Sequence, residues 1–228
     1  MKKNKSPVTA SLSYEHDLIA HGYRCIVGLD EAGRGAWAGP VSAGAVCLPL
    51  DRDDLPQVLE GVYDSKQLTA RARASLIEAI QSTALGWGVG RAEAAEIDAL
   101  GIVPATCLAM RRAIDALEAR VPAVQPDFLL IDQIKWPGLP NRPIDYQAVI
   151  RGDSLSLSIA AASVLAKVSR DAWMVEYDRQ YPGYGFAIHK GYGVPKHQVA
   201  LREFGPSPLH RLSWRPLQQP PLPFEDSE

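Results

Sequence analysis

Residues 25–48 read CIVGLDEAGRGAWAGPVSAGAVCL: two apolar runs joined by a glycine-rich turn. The first, Cys25–Leu29, stops at the adjacent carboxylates Asp30 and Glu31, and the second is Val41–Leu48. The turn-like segment Ala32–Pro40 joins them closely, so the two strands are expected to pair antiparallel. Leu85–Val89 is a third, shorter strand. Further along, the pattern changes to strand–helix alternation. Residues 70–81 suit a helix, and so do 103–120, where Cys107, Met110, Ile114 and Leu117 recur at offsets of three, four and three on one face. Phe128–Ile131 is a buried strand ending at Asp132, and Tyr146–Ile150 is another, ending before Gly152. Asp153 or Ser154 is placed to cap a long helix over 155–180, which Pro182 and Gly183 end. A loop rich in Gly, Tyr and His leads to a short helix near 195–204. Antiparallel strands followed by strand–helix alternation predict an α/β fold, a mixed sheet with helices on its faces. Residues 1–13 read as a frayed start and 217–228, rich in Pro and acid, as a disordered tail.

Composition narrows the class. The chain has 228 residues, 46% of them apolar and 22% charged, enough for a substantial core and inconsistent with a disordered or collagen-like chain. No apolar run approaches the roughly 18 residues of a membrane span, and no apolar segment follows the basic start, so a cytoplasmic protein without a secretory signal is expected. Cys25, Cys47 and Cys107 each lie in an apolar run without metal-ligand spacing and read as buried thiols in a reducing compartment. The formal net charge of −2 hides an asymmetry: residues 154–215 carry eight basic and four acidic side chains, and three of the five histidines. A local basic face can bind phosphate although the whole chain is acidic.

Four carboxylates carry the chemistry. Asp30 and Glu31 end the first strand, and share one site only if the backbone bends there, because adjacent strand residues point to opposite faces. The glycines that follow allow a ligand to approach the backbone. Asp132 ends a strand of the kind whose carboxyl end holds ligands in open α/β sheets. Asp171 falls on the helix face of Val164, Lys167 and Val168, where a carboxylate needs a partner or a metal. Each has a plainer reading: a polar strand end and Gly turn, a turn-starting Asp, and a salt bridge from Asp171 to Lys167, Arg170 or Arg179. Taken together, they are the oxygen ligands that Mg²⁺ or Mn²⁺ wants, and two such ions suit in-line phosphoryl displacement. A zinc set, a GxSxG elbow and a Walker A motif are all missing from the sequence. Tyr184–His197, YGFAIHKGYGVPKH, interleaves aromatic, Gly and basic residues, suited either to stacking on sugars beside phosphates or to packing on the core with His189 hydrogen-bonded.

In order, GLDEAGRG at 28–35, AGPV at 38–41, DSKQL at 64–68, EID at 96–98, LID at 130–132, SIAAASVLAKVSRD at 158–171, YPGYGFAIHKGY at 181–192 and HRLSW at 210–214 resemble the ribonuclease HII, or type 2 ribonuclease H, family over about residues 14–215. The resemblance implies a ribonuclease H-like fold: a five-stranded mixed sheet with flanking helices over 14–180, with a C-terminal helical extension at 181–216 completing the substrate groove. It implies cleavage of the RNA strand of RNA–DNA hybrids, and incision 5′ of single ribonucleotides in duplex DNA, leaving a 3′-hydroxyl and a 5′-phosphate. Two Mg²⁺ or Mn²⁺ ions would be held by Asp30, Glu31, Asp132 and Asp171. The substrate platform would be Gly33, Arg34 and Gly35, and Tyr192 would sense the deoxyribose after the ribonucleotide. Lys66, Lys167 and Lys190 are candidate phosphate contacts. A monomer is implied, and a replication-clamp partner is left open. The chain departs from the family pattern at Ala36 and Trp37, where Pro usually follows the platform, at Gln133–Gly138 after Asp132, and at Gln67. Two other classes remain for comparison: a non-catalytic hybrid-binding module, disfavoured because all four carboxylates are present, and a two-metal DNA nuclease, which has no evident use for the platform.

Overall fold

A computed structural model describes residues 10–62, 70–140 and 142–218. Five strands, β1 (Ile26–Ala32), β2 (Val41–Cys47), β3 (Gly86–Ala92), β4 (Phe128–Asp132) and β5 (Asp145–Val149), form one sheet in the order β3-β2-β1-β4-β5. The β1–β2 pair is antiparallel, as the short turn between them requires, β2–β3 is antiparallel as well, and β1–β4 and β4–β5 are parallel. The helices are α1 (Ser13–Ala20), α2 (Leu55–Val58), α3 (Ala70–Thr83), α4 (Ala94–Leu100), α5 (Ile102–Arg120), α6 (Leu157–Gln180), α7 (Phe186–His189), α8 (Pro195–Phe204) and α9 (Arg215–Gln218). None of them is long and apolar enough to cross a membrane.

Two helices cover the sheet. The predicted stripe of α5, Cys107, Met110, Ile114 and Leu117, is buried against Val27, Leu29 and Ala45 on one face. On the other face α6 packs backbone to backbone on β1 and β2. A Cβ added to Gly28 would overlap the Ser158 backbone and one on Gly44 the Ala162 carbonyl, so the small Ala160–Ser163 run does bring the helix into close approach.

Four local expectations change. Strand β1 does not stop at Asp30; it stays in register with β2 through Ala32↔Ser42, because the backbone ladder continues past the last apolar side chain. The cap of α6 is Ser156, whose hydroxyl accepts from Ile159 N at 3.3 Å, and not Asp153 or Ser154. Those two residues instead form a 3-10 turn over Gly152–Ser154 ahead of the helix. Cys47 and Cys107 are buried, but Cys25 is half-buried, with its Sγ 3.7 Å from that of Cys47. At the C-terminus, α9 reaches two residues into the stretch read as a tail, whose remaining part lies outside the described residues.

Helix α1 has no signal in the polar sequence before Asp17; a buried carboxylate holds it. Glu15 is fully buried, and its Oε1 accepts from Ser156 Oγ at 2.6 Å, Ser158 N at 3.0 Å and Ser158 Oγ at 2.6 Å. The charge sits at the N-terminus of α6, where the helix dipole favours it. Glu15→Ala is expected to cost roughly 2–4 kcal/mol, because it strands several buried donors. Urea unfolding of the two proteins measures it, and a loss within error of zero would remove Glu15 from the fold's support.

Candidate active site

The parallel pairing of β1 and β4, with Leu29 opposite Ile131, carries both strands to their carboxyl ends side by side. The next residue of each is an aspartate. Asp30 is 3% exposed and its Oδ1 accepts from Glu31 N at 2.7 Å, while Ser163 of α6 bonds its carboxylate from the helix side. Asp132 accepts from Gly152 N at 2.7 Å, which draws the turn after β5 against the end of β4. That turn delivers Asp153, also buried. Carboxylate oxygens of Asp30, Asp132 and Asp153 lie within 4.8 Å of one another. Burial pushes the Asp30 pKa well above the usual carboxylate range, and the charges of Glu31 and Asp132 push it further.

Because β1 keeps its register with β2 through Glu31 and Ala32, Glu31 alternates to the face opposite to Asp30. It enters a groove of about 520 Å³ together with Gly33, Arg34, Gly35, Lys167 and Tyr192. Arg34 Nη1 donates to Glu31 Oε1 at 3.1 Å. The two adjacent carboxylates therefore flank the end of one strand, close enough for the Glu31 charge to act on Asp30. Asp171 stands about two helical turns beyond Ser163, where Lys167 Nζ donates to its Oδ1 at 2.7 Å; this is the ion pair weighed from the sequence.

The profile of the family described as Ribonuclease HII matches residues 27–216. The chain belongs to the ribonuclease HII family. It is 51% identical over 216 residues to a ribonuclease HII of Chloroflexus aurantiacus, an alignment covering 95% of this chain and 98% of that protein. Among solved structures it resembles the ribonuclease H2 from Pyrococcus horikoshii OT3, with a TM-score of 0.69 and 23% identity over 85% of this chain and 95% of that one. It also resembles Bst-RNase HIII in complex with Mn²⁺, with a TM-score of 0.66 and 22% identity over 88% of this chain and 71% of that one. Those likenesses establish the ribonuclease H-like fold. Membership of the ribonuclease HII family makes the chain a metal-dependent endoribonuclease, a hydrolase acting on RNA–DNA hybrids.

The residues present fit a divalent cation. The cluster supplies oxygen donors alone, the set hard cations prefer. Its central carboxylate is buried among like charges, an arrangement that a cation relieves and that protonation otherwise must.

The remaining expected site residues divide. Gly33, Arg34, Gly35 and Lys167 line the groove. Tyr192, 38% exposed, lines it too, with the Arg170 guanidinium 5.6 Å from its ring. Lys190 Nζ donates to Ala187 O at 2.6 Å, closing the end of α7. Lys66 lies outside the described residues. Within Tyr184–His197 both readings apply: Tyr184 and Phe186 pack into a buried cluster with Ala38 and Met174, His189 bonds the Tyr184 carbonyl at 2.7 Å, and Tyr192 faces the groove.

The departures from the ribonuclease HII pattern at Ala36–Trp37 and Gln133–Gly138 have structural roles, and Gln67 lies outside the described residues. Ala36 donates its N–H to Gly33 O at 3.3 Å, a bond proline cannot make, and a Cβ on Gly193 would overlap the Trp37 ring. After Asp132, Ile134 and Trp136 are buried in the main core. Asp153 entered the sequence reading only as a helix cap, and Arg170, which donates to Pro40 O at 2.9 Å and to Ala38 O at 3.1 Å, only as an ion-pair partner for Asp171. Asp153 follows β5 much as Asp132 ends β4, so the rule of strand carboxyl ends pointed to it, but its place before a helix favoured capping. Arg170 and Arg211 stood within the blocks SIAAASVLAKVSRD and HRLSW, but nothing in the sequence showed that their partners are backbone carbonyls.

Proposed function

We propose that the chain, besides cutting hybrids, incises duplex DNA on the 5′ side of a single embedded ribonucleotide, leaving a 3′-hydroxyl and a 5′-phosphate. The observation that carries this is the meeting of Gly33–Gly35 and Tyr192 on one groove with Glu31. A 2′-hydroxyl distinguishes RNA from DNA, and the glycines let backbone groups approach it. The Tyr192 ring stacks on the following sugar, where a second 2′-hydroxyl fits poorly. The RNA-to-DNA junction is thus read without base contacts. In this reading residues 14–180 form the hydrolytic body, and 181–216 contribute Tyr192 to complete the groove.

Asp30, Asp132 and Asp153 would hold the metal, with Glu31 on the groove side. Two Mg²⁺ or Mn²⁺ ions, when bound, supply activation of the attacking water and neutralisation of charge at the leaving 3′-oxygen. Asp171 orients the Lys167 ammonium in the groove, where it meets a phosphate. Arg34, tied to Glu31, fixes that carboxylate.

The direct test is scission of a duplex with one ribonucleotide, beside an all-DNA control, in Mg²⁺, Mn²⁺ and EDTA. Metal-dependent cutting 5′ to the ribonucleotide alone supports the reading; cutting of long hybrids only would overturn the junction account. Tyr192→Ala is expected to lower single-ribonucleotide cleavage by about 10–100-fold with an unchanged melting temperature. Wild-type rates would take Tyr192 out of the site.

A further inference from the structure

We infer that His210 and Arg211 are positioning residues that set the Gly33–Gly35 platform and Tyr192 against each other, one reaching each wall of the groove. This rests on the reading of those two walls as the junction reader.

Arg211 is fully buried and spends its guanidinium on a single loop. Nη2 donates to Gly33 O at 2.7 Å and to Gly39 O at 2.9 Å, Nη1 to Arg34 O at 2.8 Å, and Nε to Gly39 O at 3.1 Å. A trans peptide is planar, so its C=O and the following N–H point in opposite directions. No peptide bond here is cis. With the Gly33 and Arg34 carbonyls drawn to the buried side, the N–H groups of Arg34 and Gly35 face the other way. Successive outward amides are what a phosphate oxygen or sugar hydroxyl needs as donors. Burial lowers the Arg211 pKa to about 9, which leaves it charged at neutral pH.

His210 works on the opposite wall through one intermediary. Ser207 N donates to His210 Nδ1 at 2.8 Å, so that nitrogen is an acceptor and the proton is on Nε2. His210 Nε2 lies 3.0 Å from His197 Nε2, which must then accept. His197 therefore carries its proton on Nδ1 and donates it to the Tyr192 carbonyl at 3.0 Å. Every bond in the relay has one allowed direction, and burial holds both rings neutral by lowering each pKa to about 4. The segment is pinned to α4 by Asp98, which accepts from Leu212 N and Ser213 N at 2.9 Å and from Ser213 Oγ at 2.6 Å. This gives the EID block a use outside the chemistry.

The experiment compares kcat and KM on the single-ribonucleotide duplex and on a uniform hybrid, with metal titrations and melting curves, for Arg211→Lys, His197→Phe, His197→Asn, Asp98→Asn and Tyr192→Ala. Arg211→Lys and His197→Phe should lower kcat/KM on the single-ribonucleotide duplex about tenfold more than on the hybrid, at an unchanged metal midpoint. His197→Asn, whose amide N–H stands where Nδ1 stands, should recover most of that selectivity. Asp98→Asn, nearer the surface, should shift selectivity the same way even if Arg211→Lys does not fold. Folded variants that lose both activities equally, or neither, while Tyr192→Ala loses selectivity, overturn the positioning role. Wild-type selectivity in Tyr192→Ala instead strikes at the junction reading on which the inference stands.

Discussion

Asp30→Asn is expected to lower cleavage by about three orders of magnitude or more while leaving the fold intact. Asparagine has the same shape and keeps an oxygen for the Glu31 N–H, but removes the charge that draws metal into the cluster. The same substitution has an opposite effect on stability. Burial raises the folded-state pKa of Asp30 above its ordinary value near 3.9, so the folded protein binds more protons than the unfolded one between the two pKa values. Stability linked to Asp30 is present below the ordinary carboxylate pKa and is lost as pH rises through the folded-state value. In EDTA at neutral pH, Asp30→Asn should therefore melt at a higher temperature than the wild type. Added Mg²⁺ should raise the wild-type midpoint and leave the variant nearly where it was. A variant that is folded, active and no more stable without metal would refute the carboxylate's assignment.

The second large effect separates Asp153 from Asp171. The family resemblance carried the fourth ligand to Asp171, but the oxygens that gather around Asp30 and Asp132 include those of Asp153. Asp171 has Lys167 as its ion-pair partner. Asp153→Asn is expected to lose activity by about two orders of magnitude or more and to shift the Mn²⁺ activation midpoint upward. Asp171→Asn should stay within about tenfold of the wild type, with its loss in KM, since what it releases is the Lys167 ammonium. Rates and metal midpoints on one hybrid substrate decide the matter. The reverse ranking would return the fourth position to Asp171.

Much of this was legible in the chain. The run from Cys25 to Leu48 announced an antiparallel pair, and the 3.6-residue spacing of Cys107 to Leu117 marked the buried face of α5, because burial imposes periodicity on sequence. Asp132 was readable since an aspartate closing an apolar strand lies where open α/β sheets bind ligands. Helix α1 was not readable: its anchor is one glutamate bonded to serines more than 140 residues away.

By itself the sequence determined the antiparallel β1–β2 pair, the resemblance to the ribonuclease HII family and the candidacy of Asp30, Glu31 and Asp132, all of which rest on local pattern or ordered motifs. Only the tertiary structure decided which oxygens meet. The choice of Asp153 depends on a turn pulled in by the Asp132–Gly152 bond, and the role of Arg211 depends on carbonyls some 170 residues distant. Backbone acceptors leave no mark on residue identity, and a carboxylate's partners are set by which chain segments the core brings together. Those contacts are non-local, and no window of sequence contains them.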